Sequence, residues 1–159
     1  MPIATQVRAV KGSDPMKPQY VTVLACLLVV IFGLVASAGS ARADRYETLR
    51  QDERIHNGLI MIAVGRHIEL TCPDIERRSV PAAAFIWNLA NYAMSLGYSR
   101  AEVTEYVEDD DEQERVIGIA RQYLAQKGVT SLEDVDGACR VGRDEITAGT
   151  QIGRLLREG

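Results

Sequence analysis

Residues 58–65 read Gly-Leu-Ile-Met-Ile-Ala-Val-Gly, an unbroken apolar run in a longer stretch that contains no proline. A helix that is apolar all round is typical of one that is buried on every side. The run therefore predicts a buried helix from about Asp52 to Thr71. Pro73 ends it, because proline cannot continue a helix without losing a backbone hydrogen bond.

Capping residues mark a second helix that follows the loop containing Cys72. Ser79 is a suitable cap, and Pro81 is tolerated in the first turn, where its missing N–H costs nothing. The helix continues to Leu96, and Gly97 can adopt the left-handed conformation that ends a helix. This second helix carries three aromatic side chains between residues 85 and 92.

A third helix is predicted from Ser99, which forms a capping box with Glu102, to Gly128. Residues 108–115 contain no apolar side chain. The helix therefore either projects into water at this segment or breaks into two helices. The sequence leaves both alternatives open.

A fourth helix of about 12–15 residues is predicted between Leu132 and Ala148. It carries Cys139 and is closed by Gly149, and the tail that follows has room for one further turn. Its inward positions are predicted to be Val135, Ala138 and Ile146. With no convincing alternating strand, the prediction is an all-α single domain of four to five helices with one disulfide.

The first 43 residues resemble a secretory signal peptide. Val21–Ala38 contains no charge in 18 residues, basic residues precede it, and Ala41-Arg42-Ala43 forms an A-x-A cleavage site before Asp44. We expect residues 1–43 to be removed and residues 44–159 to form the helical domain in the periplasm. A start at Met16 would shorten the signal to 28 residues, an ordinary length.

The alternative is an uncleaved anchor, since 18 apolar residues can just span a bilayer. In that case the protein stays in the inner membrane, and membrane contact is expected in that case alone. The Cys26 segment resembles a lipoprotein box, but the apolar run continues beyond this cysteine. We therefore expect no lipidation.

Removal of the signal leaves two cysteines, Cys72 and Cys139, which an oxidising compartment can pair. Their disulfide would close a loop of about 67 residues and contribute roughly 4 kcal/mol at most. The alternative is a redox-active pair. Catalytic dithiols usually form a C-x-x-C motif at a helix N-terminus, and these cysteines are far apart in the sequence.

Charge and motifs exclude several functions. The chain carries −4, and because residues 1–43 hold four basic residues against one acidic residue, the remaining domain carries −7. Nucleic-acid binding usually needs a basic surface, so we expect none. The sequence contains no nucleophile, zinc or phosphate-loop motif. His56 and His67 lie about 16 Å apart along one helix and cannot share a metal ion. We expect no catalytic residues, metal or cofactor.

Two segments are candidate contacts for another envelope protein. The first is the acidic run, for which the alternative is a solvated helix face; the second is the tail, which could instead fold back onto the bundle. The candidate contact residues are Asp109, Asp110, Asp111 and Glu112 in the acidic run, and Ile152, Arg154, Leu155, Leu156 and Arg157 in the tail.

The aromatic residues of the second helix are a candidate ligand pocket. Phe85, Trp87 and Tyr92 lie at helical spacing, which is more often a sign of a core than of a pocket. Asn88 and Asn91 lie beside them. If these amides face inward, they provide the few polar groups that a ligand pocket uses.

Several stretches resemble a family of small exported alphaproteobacterial proteins that is known only as a domain of unknown function. They are residues 95–99, 101–103 and 106–109, Thr71-Cys72-Pro73, residues 142–146 and residues 151–156. The resemblance covers the chain from about Leu49 onward. It implies an exported helical domain with paired cysteines, and it implies no activity and no catalytic residues.

The sequence favours a non-enzymatic periplasmic protein of a Gram-negative cell that binds another protein, as an accessory subunit or small chaperone-like factor. The alternative is a carrier of a small molecule or lipid, with an aromatic-lined cavity at the second helix. An enzyme is the least favoured class.

Overall fold

A computed structural model describes residues 45–159, in which seven helices and two short strands follow one another. The elements are α1 (Glu47–Gln51), α2 (Glu53–Thr71), β1 (Ile75–Arg77), α3 (Ser79–Ser95), α4 (Arg100–Glu108), α5 (Asp110–Gln126), α6 (Val135–Ala148), α7 (Gln151–Arg154) and β2 (Leu156–Glu158). The predicted signal peptide, its cleavage site and the alternative start lie outside the described residues. None of these helices combines the length and apolarity needed to cross a membrane.

The predicted central helix is confirmed as α2, which contacts α1, α3, α5, α6, α7 and β1. Asp52 caps it by accepting hydrogen bonds from the backbone N–H groups of Arg54 and Ile55. Val64 and Ile68 are fully buried. Residues 59–63 are half-buried, so the prediction of burial on every side is wrong for this segment.

The predicted third helix is two helices, α4 and α5, which meet at Asp109. This residue ends α4 and caps α5, with an extended backbone at ψ 126° and a side chain that accepts from the N–H of Glu112. The Ser99–Glu102 capping box at the start of α4 is confirmed. This break and the short helices α1 and α7 explain why the described residues form more helices than the sequence predicts.

The other predicted helix ends are largely correct. Gly97, Gly128 and Gly149 all have positive φ angles and follow the helices that they were predicted to end. At the start of α3, however, Arg78 rather than Ser79 is the capping residue, and its side chain makes no capping hydrogen bond. On α6, Ala138 is buried as predicted and Ile146 packs against the core, whereas Val135 is 44% exposed.

A two-stranded antiparallel sheet joins the segment after α2 to the C-terminus and was missed by the sequence analysis. Glu76 pairs with Arg157 in the centre of the ladder, and their side chains form an ion pair at 2.6 Å. Strands of three residues are too short to show an alternating pattern.

The tail therefore folds back onto the bundle. Ile152, Leu155 and Leu156 are buried, so the prediction that they contact a partner is wrong in this structure. Arg154 and Arg157 are exposed, as expected. Arg154 donates to the carbonyl of Gly149, which fastens the end of α7 to the end of α6.

The predicted disulfide joins Cys72, at the end of α2, to Cys139 on α6, with a Cα–Cα distance of 5.0 Å. Both cysteines are buried. Around them lies one core cluster, built from α2, α5, α6 and the tail. A second cluster, which includes Tyr46, Leu49 and Tyr106, packs the start of the described chain against α4.

Gly153 is the tightest point in this packing, because a Cβ atom there would collide with the backbone carbonyl of Glu145. We expect Gly153→Ala to destabilise the fold by at least about 2 kcal/mol, since backbone atoms cannot move aside cheaply. The measurement is urea denaturation followed by circular dichroism.

Gly118→Ala is the matched control, because this helical glycine has nothing within 4 Å of the Cβ position. We expect it to be neutral or stabilising by up to about 1 kcal/mol through helix propensity. Equal effects of the two substitutions would contradict the packing of α7 on α6.

Candidate functional site

One concave feature of residues 45–159 is an aliphatic groove of about 630 Å³, whose long walls are α2 and α5. Ile86 of α3, Val107 of α4 and Leu132 of the α5–α6 loop also line it. The apolar lining from α2 and α5 comprises Leu59, Ile62, Ala63, Leu70, Val116, Ile117, Ala120 and Leu124. Among the described residues, no Phe, Tyr or Trp lines this groove.

Exposed hydrophobic side chains concentrate at this groove. Leu70, Ile86, Val107, Ile117 and Leu132 are each at least 40% exposed, and all five line it. Single exposed hydrophobic residues are normal on a protein surface, but a cluster in a concave site usually marks a binding surface. The groove is therefore the leading candidate for a ligand site in the described chain.

Two polar side chains of the groove have no partner among residues 45–159. His67 Nε2 is buried and makes no hydrogen bond, although buried polar atoms are normally paired. Arg121 also lines the groove and forms no hydrogen bond or ion pair with the described residues. Burial lowers the pKa of His67, the nearby Arg121 guanidinium lowers it further, and Glu133 opposes the shift. The imidazole is therefore mainly neutral at pH 7.

Glu112 lies at the other end of the groove and is 4% exposed. Its carboxylate accepts hydrogen bonds from the Tyr106 hydroxyl at 2.6 Å, from Arg115 Nε at 3.0 Å and from Arg50 Nε at 3.3 Å. Burial alone would raise the pKa of Glu112, but the hydrogen bonds from Arg115 and Tyr106 outweigh it and lower the pKa below its usual value.

The prediction that Glu112 contacts a partner protein is therefore wrong, because its oxygens are buried and already bonded within the fold. Asp109 is half-buried in the cap of α5. Asp110 and Asp111 are exposed, so the candidate acidic surface is reduced to these two residues and their exposed neighbours.

A second buried carboxylate, Glu145, was missed by the sequence analysis. It accepts from the hydroxyls of Tyr123 and Thr150, both at 2.5 Å, and pairs with Lys127 at 3.1 Å. Burial would raise the pKa of Glu145, but these hydrogen bonds lower it overall. Helical spacing could have identified it, because Ala138, Val141 and Glu145 lie three and four residues apart on one buried face.

The aromatic pocket predicted on α3 is not formed as a unit. Phe85, Asn88 and Tyr92 line a different groove, an open polar one that also includes Asp52 and Arg54. The Tyr92 hydroxyl donates to Asp52 at 2.9 Å, and Arg54 lies 4.2 Å from the centre of the Tyr92 ring.

The other two predicted pocket residues lie outside both grooves. Trp87 is 52% exposed, with the Arg100 guanidinium 5.0 Å from its ring centre, and Asn91 is exposed. Neither the pocket nor the alternative of an aromatic core describes Trp87, because α3 turns this side chain outward. Of α3, it is instead Ile86 that lines the aliphatic groove.

One cluster of metal-ligating residue types occurs within residues 45–159, formed by Cys72, Asp74 and Cys139. Both sulfur atoms belong to the disulfide, and a metal needs the free thiolate. In the oxidised protein these two sulfur atoms therefore cannot serve as metal ligands.

Fold and site together define a small, disulfide-linked helical domain with an open aliphatic groove. The family described as "Family of unknown function (DUF5333)" matches residues 47–157, and the chain belongs to this family. No curated protein and no solved structure matches the chain. The resemblance to a family of unknown function is thus confirmed, while the origin and export that it implied stay predictions.

The buried Glu112 makes stability depend on pH. Its pKa is lowered in the folded state from 4.5, so its contribution is present above about pH 4.5 and is lost as the pH falls through the folded pKa. We expect Glu112→Gln to cost roughly 2 kcal/mol at pH 7, because the half-buried Arg115 loses its charged partner.

The test is urea denaturation of the wild type and of Glu112→Gln at pH 7 and at about pH 3. The difference in their free energies of unfolding should be smaller at the lower pH. Glu114→Gln on the exposed side of α5 is the control and should behave like the wild type at both pH values. A difference that is the same at both pH values would show that the pKa of Glu112 is not lowered in the folded protein.

Proposed function

We propose that this protein is an exported, non-enzymatic binding protein that carries a small molecule or lipid in the aliphatic groove. The observation that carries the proposal is the cluster of five exposed aliphatic side chains around one groove. Its volume of about 630 Å³ lies within the roughly 300–1,000 Å³ typical of small-ligand sites. A largely aliphatic lining suits an aliphatic ligand rather than a polar metabolite.

Binding of another envelope protein, the function that the sequence favours most, is the second candidate. Four of its nine candidate contacts are buried, namely Glu112, Ile152, Leu155 and Leu156. A different surface supports it, because α3 exposes Val80 and Trp87, which lie seven residues apart on one helix face. A partner that cross-links from Trp87, and not from Ile117, would favour this accessory or chaperone-like role.

Ile117→Glu tests the groove, because Ile117 is 42% exposed and lines it. A carboxylate there would have to be buried with the ligand, which is costly without a partner. We expect the affinity for the neutral fluorescent probe N-phenylnaphthylamine to fall at least about tenfold. The measurement is a fluorescence titration of the purified protein.

Val135→Glu is the matched control, because Val135 is 44% exposed and lies outside the groove. It should bind the probe like the wild type. If Ile117→Glu also binds like the wild type, the groove is not the site. Native mass spectrometry of the protein purified from its own cells should in addition detect a bound small molecule.

Export to the periplasm is the remaining part of the proposal. It is supported by the apolar run Val21–Ala38, by the A-x-A site before Asp44, and by a disulfide, which is typical of oxidising compartments. We expect the processed chain to begin at Asp44 and to be released with the periplasmic fraction.

N-terminal sequencing of the fractionated protein measures this directly. Ala43→Arg should block processing and retain the chain in the inner membrane, whereas the control Ala83→Arg, on the exposed side of α3, should be processed normally. A wild-type chain that keeps residues 21–38 and stays in the membrane fraction would instead establish the anchored alternative.

A further inference from the structure

The aliphatic groove is not uniformly apolar, because Arg121 and His67 line it together with the aliphatic residues. Resting on the proposed carrier function, we propose that its ligand is a single-chain aliphatic carboxylate. The carboxylate binds at Arg121 and His67, and the hydrocarbon chain lies against the aliphatic side chains of α2 and α5.

Arg121 differs from Arg66, the other arginine that lines the groove. Arg66 pairs with Glu69 at 3.7 Å, whereas Arg121 has no such partner within residues 45–159. A guanidinium binds a carboxylate through two parallel N–H groups, which makes it a suitable anchor for this head group. An unpaired guanidinium beside an aliphatic surface therefore favours an anionic amphiphile over a neutral one.

His67 supplies the second polar contact. Its Nε2 is buried and has no hydrogen-bond partner, and such an atom is costly to leave unpaired. A neutral imidazole can carry its proton on Nε2 and donate it to an acceptor. Nε2 is buried in the unliganded structure, so a carboxylate oxygen bound at Arg121 satisfies it only after the imidazole ring turns toward the groove.

The acidic side chains in and near the groove do not pair with Arg121, so its guanidinium is accessible to a ligand carboxylate. Glu112 is already bonded to Tyr106 and Arg115 at the opposite end. Glu133 lies in the exposed loop after α5 and acts on His67 electrostatically, but it forms no ion pair with Arg121. Removing the charge of Glu133 should therefore strengthen the binding of an anion.

The size of the groove decides between a single chain and a larger lipid. About 630 Å³ is a typical volume for a site that binds one small ligand. A phospholipid with two acyl chains is considerably larger. Palmitate and hexadecanol are suitable probes, because they are an acid and an alcohol with the same hydrocarbon chain.

The experiment measures how palmitate and hexadecanol displace N-phenylnaphthylamine from the full processed protein. We expect palmitate to bind at least about tenfold more tightly than hexadecanol. Arg121→Gln should abolish this preference for palmitate and leave the affinity for hexadecanol unchanged. His67→Leu should reduce the preference, and Glu133→Gln should increase it. Arg121 and Glu133 are exposed, so their variants should keep the wild-type melting temperature.

Arg143→Gln is the matched control, because Arg143 is an exposed cation that lies 3.9 Å from Asp74 and outside the groove. This substitution should leave the affinities for palmitate and hexadecanol unchanged. If wild type binds acid and alcohol equally and Arg121→Gln has no effect, the carboxylate inference is overturned while the carrier function stands. If neither ligand displaces the probe, or Ile117→Glu leaves their binding unchanged, the proposed function fails as well.

Discussion

The packing of α2 against α5 and α6 is the constraint on which the rest of the structure depends. Val64 and Ile68 are fully buried in this contact, and the disulfide at Cys72 fixes the end of α2 to α6. Only part of the apolar surface of α2 is used in this way. Of its half-buried residues, Leu59, Ile62 and Ala63 line the groove, so the same apolar run that contributes to the core also forms the floor of the candidate site.

The position of α3 determines how the remaining surface of α2 is divided between two grooves. At Gly58 a Cβ atom would lie 2.8 Å from both methyl groups of Leu89, so a glycine at this position allows α3 to approach α2 closely. On either side of this contact, α3 divides two grooves of different chemistry. Ile86 contributes to the aliphatic one, and Phe85, Asn88 and Tyr92 contribute to the polar one.

Much of the fold could be predicted because its signals are local. Caps, left-handed glycines and the apolar run identified α2, α3 and the start of α4, and the cysteine count identified the disulfide. The candidate site could not be predicted in the same way. Helix α3 is apolar on several faces, so periodicity does not say whether Ile86 or Trp87 turns toward the bundle.

The burial of Glu112 could not be predicted from the sequence for a related reason. It lies within a run of acidic residues that resembles a solvated surface, and contacts with the side chains of Tyr106 and of Arg50, 62 residues away, distinguish it from its neighbours. The same limit applies to the tail, where Ile152 and Leu156 have a pattern that fits either docking on a partner or folding back.

Both ends of α5 are held by buried carboxylates, and this affects how the groove can bind. Glu112 joins the start of α5 to Arg50 before α2 and to Tyr106 of α4. Glu145 joins Tyr123 near the end of α5 to α6. These hydrogen bonds are charge-assisted and shielded from water, so they are stronger than exposed ones. The wall formed by α5, which carries Ile117 and Arg121, is therefore fixed before any ligand arrives, and binding has little ordering of this wall to offset.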